Sequence, residues 1–496
     1  MLNLRPSNRF VVAIAIGSSV LSGAAYGGPW LGPGDLALRH DVQLLADAGV
    51  IDGPVTSWPM SWGEVSRSFA DVDSADLSAA ELEAFRRVRD RARAAMRIDT
   101  VEIDARLAVA EDPRRLRTFE ATPRESAEIE SGAEWTGERF AWNLQVQKVA
   151  GPDDGKNVRL DGSYAGVVLG NFMFSAGAMD RWWGPGWEGS LILSNNPRPI
   201  PAFSVERNFS DPFETKWLRW IGPWTASLVW GQLEHDRDVP NARFFGLRVA
   251  FKPLRDLEIA LSRSAQWCGA GRPCNAGTFT DLLLGRDNRG NDVTFENEPG
   301  NQLAGLDLRW ASPFSELPYA IYGQLIGEDE AGGFPSEFLG LYGLEAWGSS
   351  QRWGSYRVHL EFADTACGST GSDPKFDCAY NHGIYQDGYR YRERSIGHSI
   401  DNDARILSLG ATLVEPDGDS WNVLVRGGKL NRAGAPDPAN SVARTEQKLA
   451  NIEISHTQRY FFGTVDFGIG GDRLEDAISG DTSNDLRAFV QLHYGY

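Results

Sequence analysis

Three glycines, Gly184, Gly186 and Gly189, stand in the order G-x-G-x-x-G. Between a strand and a helix, that spacing cradles a pyrophosphate. Here Pro185 sits inside the run, and Ser190, Leu191, Ile192, Leu193 and Ser194 lead straight into Asn195, Asn196 and Pro197, with no amphipathic helix. Dinucleotide binding is not expected, and neither is any other cofactor. No G-x-S-x-G elbow, P-loop or H-E-x-x-H occurs, and the 7 histidines are scattered. Asp401, Asn402 and Asp403, and likewise Asp417 and Asp419, offer oxygens suited to calcium, but neither group completes an EF-hand loop. Both read as solvated loops, so no metal is expected. With 67 carboxylates in the chain, choosing two as a glycosidase pair would be arbitrary. No catalytic constellation is visible among these residues, so no enzyme activity is expected from them.

The informative charges lie in alternating segments. Phe245, Leu247, Val249 and Phe251 are interleaved with Arg248 and Lys252. Leu306, Leu308 and Trp310 flank Asp307 and Arg309; Tyr356, Val358, Leu360 and Phe362 flank Arg357, His359 and Glu361. Trp421 and Val423 flank Asn422, with Arg426 beyond Val425. If the apolar faces meet lipid, these charges, together with Glu453, Asp466 and His493, project into a lumen and form a charge lattice there. A second group lies on one loop: Tyr380, His382, Tyr385, Tyr389, Arg390, Tyr391, Arg392 and Arg394. Aromatic faces stack on sugar rings, and guanidinium forks suit sugar carboxylates. That make-up suits contact with sugar rings; the plainer alternative is a loop that merely closes a pore.

The elements that must hold these residues follow from period. Residues 29–99 are helical: Asp35 can cap a helix carrying Leu38, Val42, Leu45 and Ala46, while Ser61 with Glu64 and Ser78 with Glu81 are capping-box pairs. A small helical bundle is expected, able to dock a periplasmic or export-machinery partner. From 101 to 496 the period is two, as in strands. Trp220, Trp224, Trp230, Trp267, Trp310, Trp347 and Trp353 recur near strand ends, as interfacial girdles do, and the chain ends on Tyr496 within its last strand. The longest polar loops fall at 268–300, 367–403 and 431–444. The expected fold is mainly β, a transmembrane antiparallel barrel in contact with outer-membrane lipid.

Composition agrees. The net charge of -18 excludes nucleic acid as the natural partner, because phosphate binding needs a basic face. Arg5 and Arg9 precede a short apolar run at 10–21 and the small residues Ser22, Gly23, Ala24 and Ala25, so residues 1–25 read as a cleaved export signal. Four cysteines allow three pairings; proximity favours Cys268 with Cys274 and Cys367 with Cys378, which an oxidising compartment permits.

One stretch is distinctive: Trp182, Trp183, Gly184, Pro185, Gly186, Trp187, Glu188 and Gly189, running through Asn195, Asn196, Pro197, Arg198, Pro199 and Pro201. It resembles the signature of the Wzi capsule-assembly family. The resemblance implies an outer-membrane barrel of about 18 strands, a small periplasmic helical bundle, and non-catalytic, lectin-like attachment of capsular or related polysaccharide to the cell surface. The prolines remove backbone donors and forbid a long strand, so the segment suits an ordered fold-in, a structural plug rather than the sugar site itself. The alternative function is a porin-like diffusion channel, which needs an open lumen.

Overall fold

The computed structural model describes residues 29–283, 300–314, 316–331, 334–368, 373–378, 380–434 and 436–495; the expected export signal and Tyr496 lie outside them. Three helices come first: α1 (Leu36–Asp47), α2 (Trp62–Ser68) and α3 (Ala79–Ala95). Each begins on the residue whose side chain can replace a missing backbone acceptor. The Asp35 carboxylate accepts from Leu38 N, and Ser78 and Glu81 close a full capping box. Ser61 caps α2, but the Glu64 carboxylate turns away to Ser210 and Arg67, so that box is half made. Leu38, Val42, Leu45, Val65, Ala84 and Val88 meet in one apolar core.

The rest is a closed antiparallel barrel. Its strands are β1 (Thr100–Glu111), β2 (Ala127–Thr136), β3 (Phe140–Ala150), β4 (the pieces Val158–Arg159 and Tyr164–Leu169), β5 (Phe172–Gly177), β6 (Ala202–Arg207), β7 (Trp224–Gln232), β8 (Arg243–Leu254) and β9 (Leu257–Trp267). The circuit continues through β10 (Gly300–Ala311), β11 (Tyr319–Ala331), β12 (Phe334–Ser350), β13 (Gly354–Asp364), β14 (Arg405–Val414), β15 (Ser420–Leu430), β16 (Gln447–Tyr460), β17 (Gly463–Asp476) and β18 (Thr482–Tyr494). Both pieces of β4 pair with β3, so the strands number eighteen. β18 closes on β1, with Leu492 opposite Leu107. Closure satisfies every strand edge, which a sheet surrounded by hydrocarbon requires.

The faces are inverted relative to a soluble domain. Leu306, Leu308, Leu407, Leu409, Ile452 and Ile454 are exposed outward, while Arg248, Asp307, Arg357, Glu361, Arg426 and Glu453 are buried inside. One end of the barrel has tight connections, such as 170–171 and 255–256; the other carries the long ones, 112–126, 178–201, 268–299 and 365–404. The helices lie at the tight-turn end, where Arg255 donates to Ala48 O and Arg87 reaches Glu415 O. The girdle expectation needs correction at two tryptophans. Trp347 faces the lumen and packs on the helical core. Trp267 is buried under α4 (Ala276–Leu283), a short helix in a stretch expected to be polar loop, where Phe279 caps a cluster with Trp230 and Phe245.

Candidate functional site

The distinctive stretch folds into the barrel between β5 and β6. Its first residues, Trp182 and Trp183, pair antiparallel with Trp58 and Ser57, so the linker after α1 and the inserted segment share a two-stranded ladder inside the lumen. Gly184 has φ 153, a conformation that L side chains rarely adopt. Gly186 could not carry a Cβ, which would fall 2.3 Å from Gly189 O. The glycine spacing that resembled a phosphate cradle is thus the geometry of a tight internal turn.

That turn is gripped by the wall. The Glu361 carboxylate on β13 accepts the N–H groups of Trp187 (2.8 Å), Glu188 (3.3 Å) and Gly189 (3.2 Å), and the Tyr322 hydroxyl at 2.9 Å. The Trp187 indole N–H donates to Glu345 at 2.7 Å, and its ring stacks on His359. Gln324 accepts from Leu191 N and donates to Trp183 O. Asn195 and Asn196 donate to Phe119 O and Ser395 O. Arg198 forks onto Asp161 and also reaches Asp154, and those charges lift its guanidinium above the ordinary range despite burial. Pro199 ends the insertion just before Ile200 joins the apolar core. Glu188, Asn195, Asn196 and Arg198 of the signature each bond to a neighbouring segment, as a plug requires.

The helices hold the same plug from the other side. Arg39 of α1 donates to Pro185 O and Gly186 O, with its guanidinium 4.4 Å from the Phe119 ring centre and 4.2 Å from that of Trp187. Burial pulls its pKa down to about 10, so it stays cationic at neutral pH. Phe119 arrives on the loop 112–126, which dives into the lumen far enough for Ala121 N to donate to Gly34 O.

The lattice residues Arg248, Asp307, Arg309, Arg357, Glu361, Arg426 and Glu453 are buried and serve docking, whereas Asp466 and His493 stand half-buried and 3.3 Å apart on the wall of a cavity. Arg248 is bonded to Asp307 and to Ser57 and Thr56 beside the plug. Arg309 and Arg357 are held between Glu345 and Asp47 of α1. Arg426 pairs with Glu453, which Arg114 and Arg487 also contact. Sequence reasoning missed Arg39, Asp47, Glu345 and the inward course of 112–126. Asp47 and Arg39 looked like ordinary polar positions of a helix whose buried face had to be guessed. A cavity of about 470 Å³ remains beside the helices, with Asp35, Asp104, Glu134, Gln145 and Asp466 on its walls.

The aromatic loop is not an open stacking platform. Tyr380, Tyr385, Tyr389, Arg390 and Tyr391 are all buried. The Tyr380 hydroxyl donates to Leu191 O, that of Tyr385 to Cys268 O, and that of Tyr389 to Ile192 O at 2.7 Å. Burial holds the Tyr389 phenol above its ordinary value. Arg390 forks onto Asp401, while Asp403 takes the Asp377 N–H, so the acidic triplet is occupied by protein donors. Of this candidate group, His382, Arg392 and Arg394 are partly exposed. Cys268 is bonded to Cys274 and Cys367 to Cys378, fastening the bases of two long connections. Among the described residues the one cluster of metal-ligand type is Glu337 with Cys367 and Cys378, whose sulfurs are bonded to each other.

The fold and the filled lumen define an outer-membrane β-barrel of the plugged kind. Residues 99–475 match the capsule assembly protein Wzi family, and the chain belongs to it. A Klebsiella pneumoniae protein described as an uncharacterized 55.8 kDa protein in the cps region is 33% identical over 364 residues, covering 71% of this chain and 69% of that one. The structure is also similar to that of Wzi from Escherichia coli, with TM-score 0.81 and 26% identity, covering 94% of this chain and 99% of that one. That protein is described as an outer-membrane protein involved in group 1 capsule assembly and as a carbohydrate-binding β-barrel.

Proposed function

We propose that this protein binds capsular or related surface polysaccharide at its long-loop end and holds it on the cell, without catalysis and without conducting solutes. The likeness to a carbohydrate-binding barrel over nearly the whole chain carries the reading. The filled lumen supports it, since charges that would line a porin's channel are instead bonded to the plug and helices. The serine Ser355 does lie 3.0 Å from His40, but both are fully buried between β13 and α1, where the pair serves packing. Residues 1–25 act as the export signal, and residues 29–99 face the periplasm, where a partner from the export machinery can reach the helices.

Within this reading, Tyr380, Tyr385, Tyr389 and Tyr391 brace the loop from below, and Arg392 and Arg394 offer the sugar contact. The test is polymer partition in a deletion strain. Normal synthesis with polymer shed into the medium supports the tether, and complementation with Arg392→Ala/Arg394→Ala should restore barrel but not retention. Retention unchanged by the deletion rejects the tether. Ion conductance by the purified protein in a planar bilayer would favour the channel instead.

A further inference from the structure

The connection between β6 and β7, residues 208–223, breaks the pattern of its end of the barrel, where its neighbours are tight turns. Its root is fixed. Ser61 donates to Asn208, Ser210 to Glu64 at 2.5 Å, and Arg67 pairs with Asp211 at 2.9 Å. Its return is pinned as well: Gly222 has φ 69, and a Cβ there would lie 2.0 Å from Lys252 O on β8. Between these anchors Leu218 N and Arg219 N both donate to Thr215 O, forming a compact tip.

The tip is apolar and exposed. Trp217 is 88% exposed, Trp220 64% and Leu218 40%. It does not hang free beneath the barrel, because it folds against the outer wall. The Trp220 ring meets Phe251 of β8 edge-on at 6.3 Å, and Phe213 stacks on Trp224 at 4.6 Å. Phe251 belongs to the outward, lipid-facing row of β8, so the tip continues the established membrane surface of the barrel. Lys216 and Arg219 stand exposed between these rings, and neither has an ion-pair partner among the described residues. Indole rings favour the boundary between hydrocarbon and headgroups, and a cation beside them can reach lipid phosphate.

We propose that residues 213–221 form an interfacial foot that beds in the phospholipid leaflet at the turn end, with Trp217, Leu218 and Trp220 at the acyl boundary and Lys216 and Arg219 on headgroup phosphates. The foot fixes the barrel's height and orientation in the bilayer on the side where Ser61, Glu64 and Arg67 join it to the helices. Other exposed aromatics at this end, such as Phe461, sit on short turns and lack this tie to the helical bundle.

All four native cysteines are bonded, so one added cysteine is the single free thiol for a spin label. Trp217→Cys, Lys216→Cys, Asp73→Cys (an exposed bundle residue) and Ile452→Cys (an outward barrel residue) would be labelled in the full chain and reconstituted into phospholipid vesicles. Collision with oxygen and with a water-soluble nickel chelate reads depth. The label at 217 should show an oxygen-to-nickel ratio several-fold above that at 73 and approach that at 452, with 216 between them. Nickel access at 217 and 216 equal to that at 73 overturns the proposal, since the foot then stands in water. If Trp217→Cys fails to fold, the label at 216 decides alone: a ratio above that at 73 upholds the foot, and one equal to it rejects it.

Discussion

Asp47→Ala should undock the helices from the barrel without opening the barrel itself. Asp47 ends α1 and meets Arg309 at 2.7 and 3.1 Å and Arg357 at 3.0 Å. The same two arginines face Glu345 at 2.6 and 3.1 Å, so two cations and two anions balance in a site where each side chain is 7% exposed or less. Each contact to Asp47 is worth about 4 kcal/mol of Coulomb attraction at an effective dielectric near 20. Desolvating the carboxylate offsets several kcal/mol of that total, and truncation leaves one buried positive charge uncompensated. The net cost is about 3–5 kcal/mol. Amide exchange by mass spectrometry resolves where it falls: protection of 36–47 should drop by at least ~100-fold while that of β10, β12 and β13 is kept. Pairing the change with Arg357→Met restores charge balance and should recover part of the loss. Full protection of α1 in the single variant would refute the argument that this lattice docks the helices. The exposed pair Lys448 and Glu475 is the control, and breaking it should leave stability and the protection of α1 unchanged.

Two further outcomes follow from the same geometry. Glu361→Ala leaves the N–H groups of Trp187, Glu188 and Gly189 without their acceptor, at about 1–3 kcal/mol for each orphaned donor; exchange of 184–193 should rise while the strands stay protected, and unchanged plug exchange would show that the grip lies elsewhere. His398 is buried, and burial with the nearby Arg426 holds its pKa down to about 3, while its Nδ1 accepts from Ile400 N. An unfolded histidine titrates near 6.5, so the unfolded chain binds a proton that the fold refuses, and stability should fall as pH drops from about 6.5 towards 3. Unfolding midpoints at pH 7.5 and 5 should therefore converge in His398→Gln relative to the native chain; equal pH slopes in both would sink this assignment.

Much of the architecture was written in local pattern. The barrel is legible because lipid outside and polar groups inside force a two-residue period, as in Leu306, Asp307, Leu308 and Arg309. The helices are legible from caps whose chemistry is local, such as Ser78 with Glu81. The prolines and glycines between 184 and 201 also announced an irregular insertion, since their backbone limits act wherever the chain goes. Contacts across the lumen were not legible. Nothing near Asp47 in the chain indicates that it must face Arg309 and Arg357, and nothing near Arg39 marks it for the space between Phe119 and Trp187. The aromatic loop shows the same limit: residue type made Tyr380, Tyr385 and Tyr389 sugar-stacking candidates, but the plug carbonyls of Leu191 and Ile192 drew two of their hydroxyls inward. Periodicity and backbone constraints depend on neighbours in sequence, so the strands, the first three helices and the membrane face are readable along the chain, whereas α4, in a stretch that reads as polar loop, is not. Which buried charge meets which, and which loop is left for solvent, depends on segments more than 100 residues apart being packed into one lumen, so those pairings emerge only from the assembled barrel.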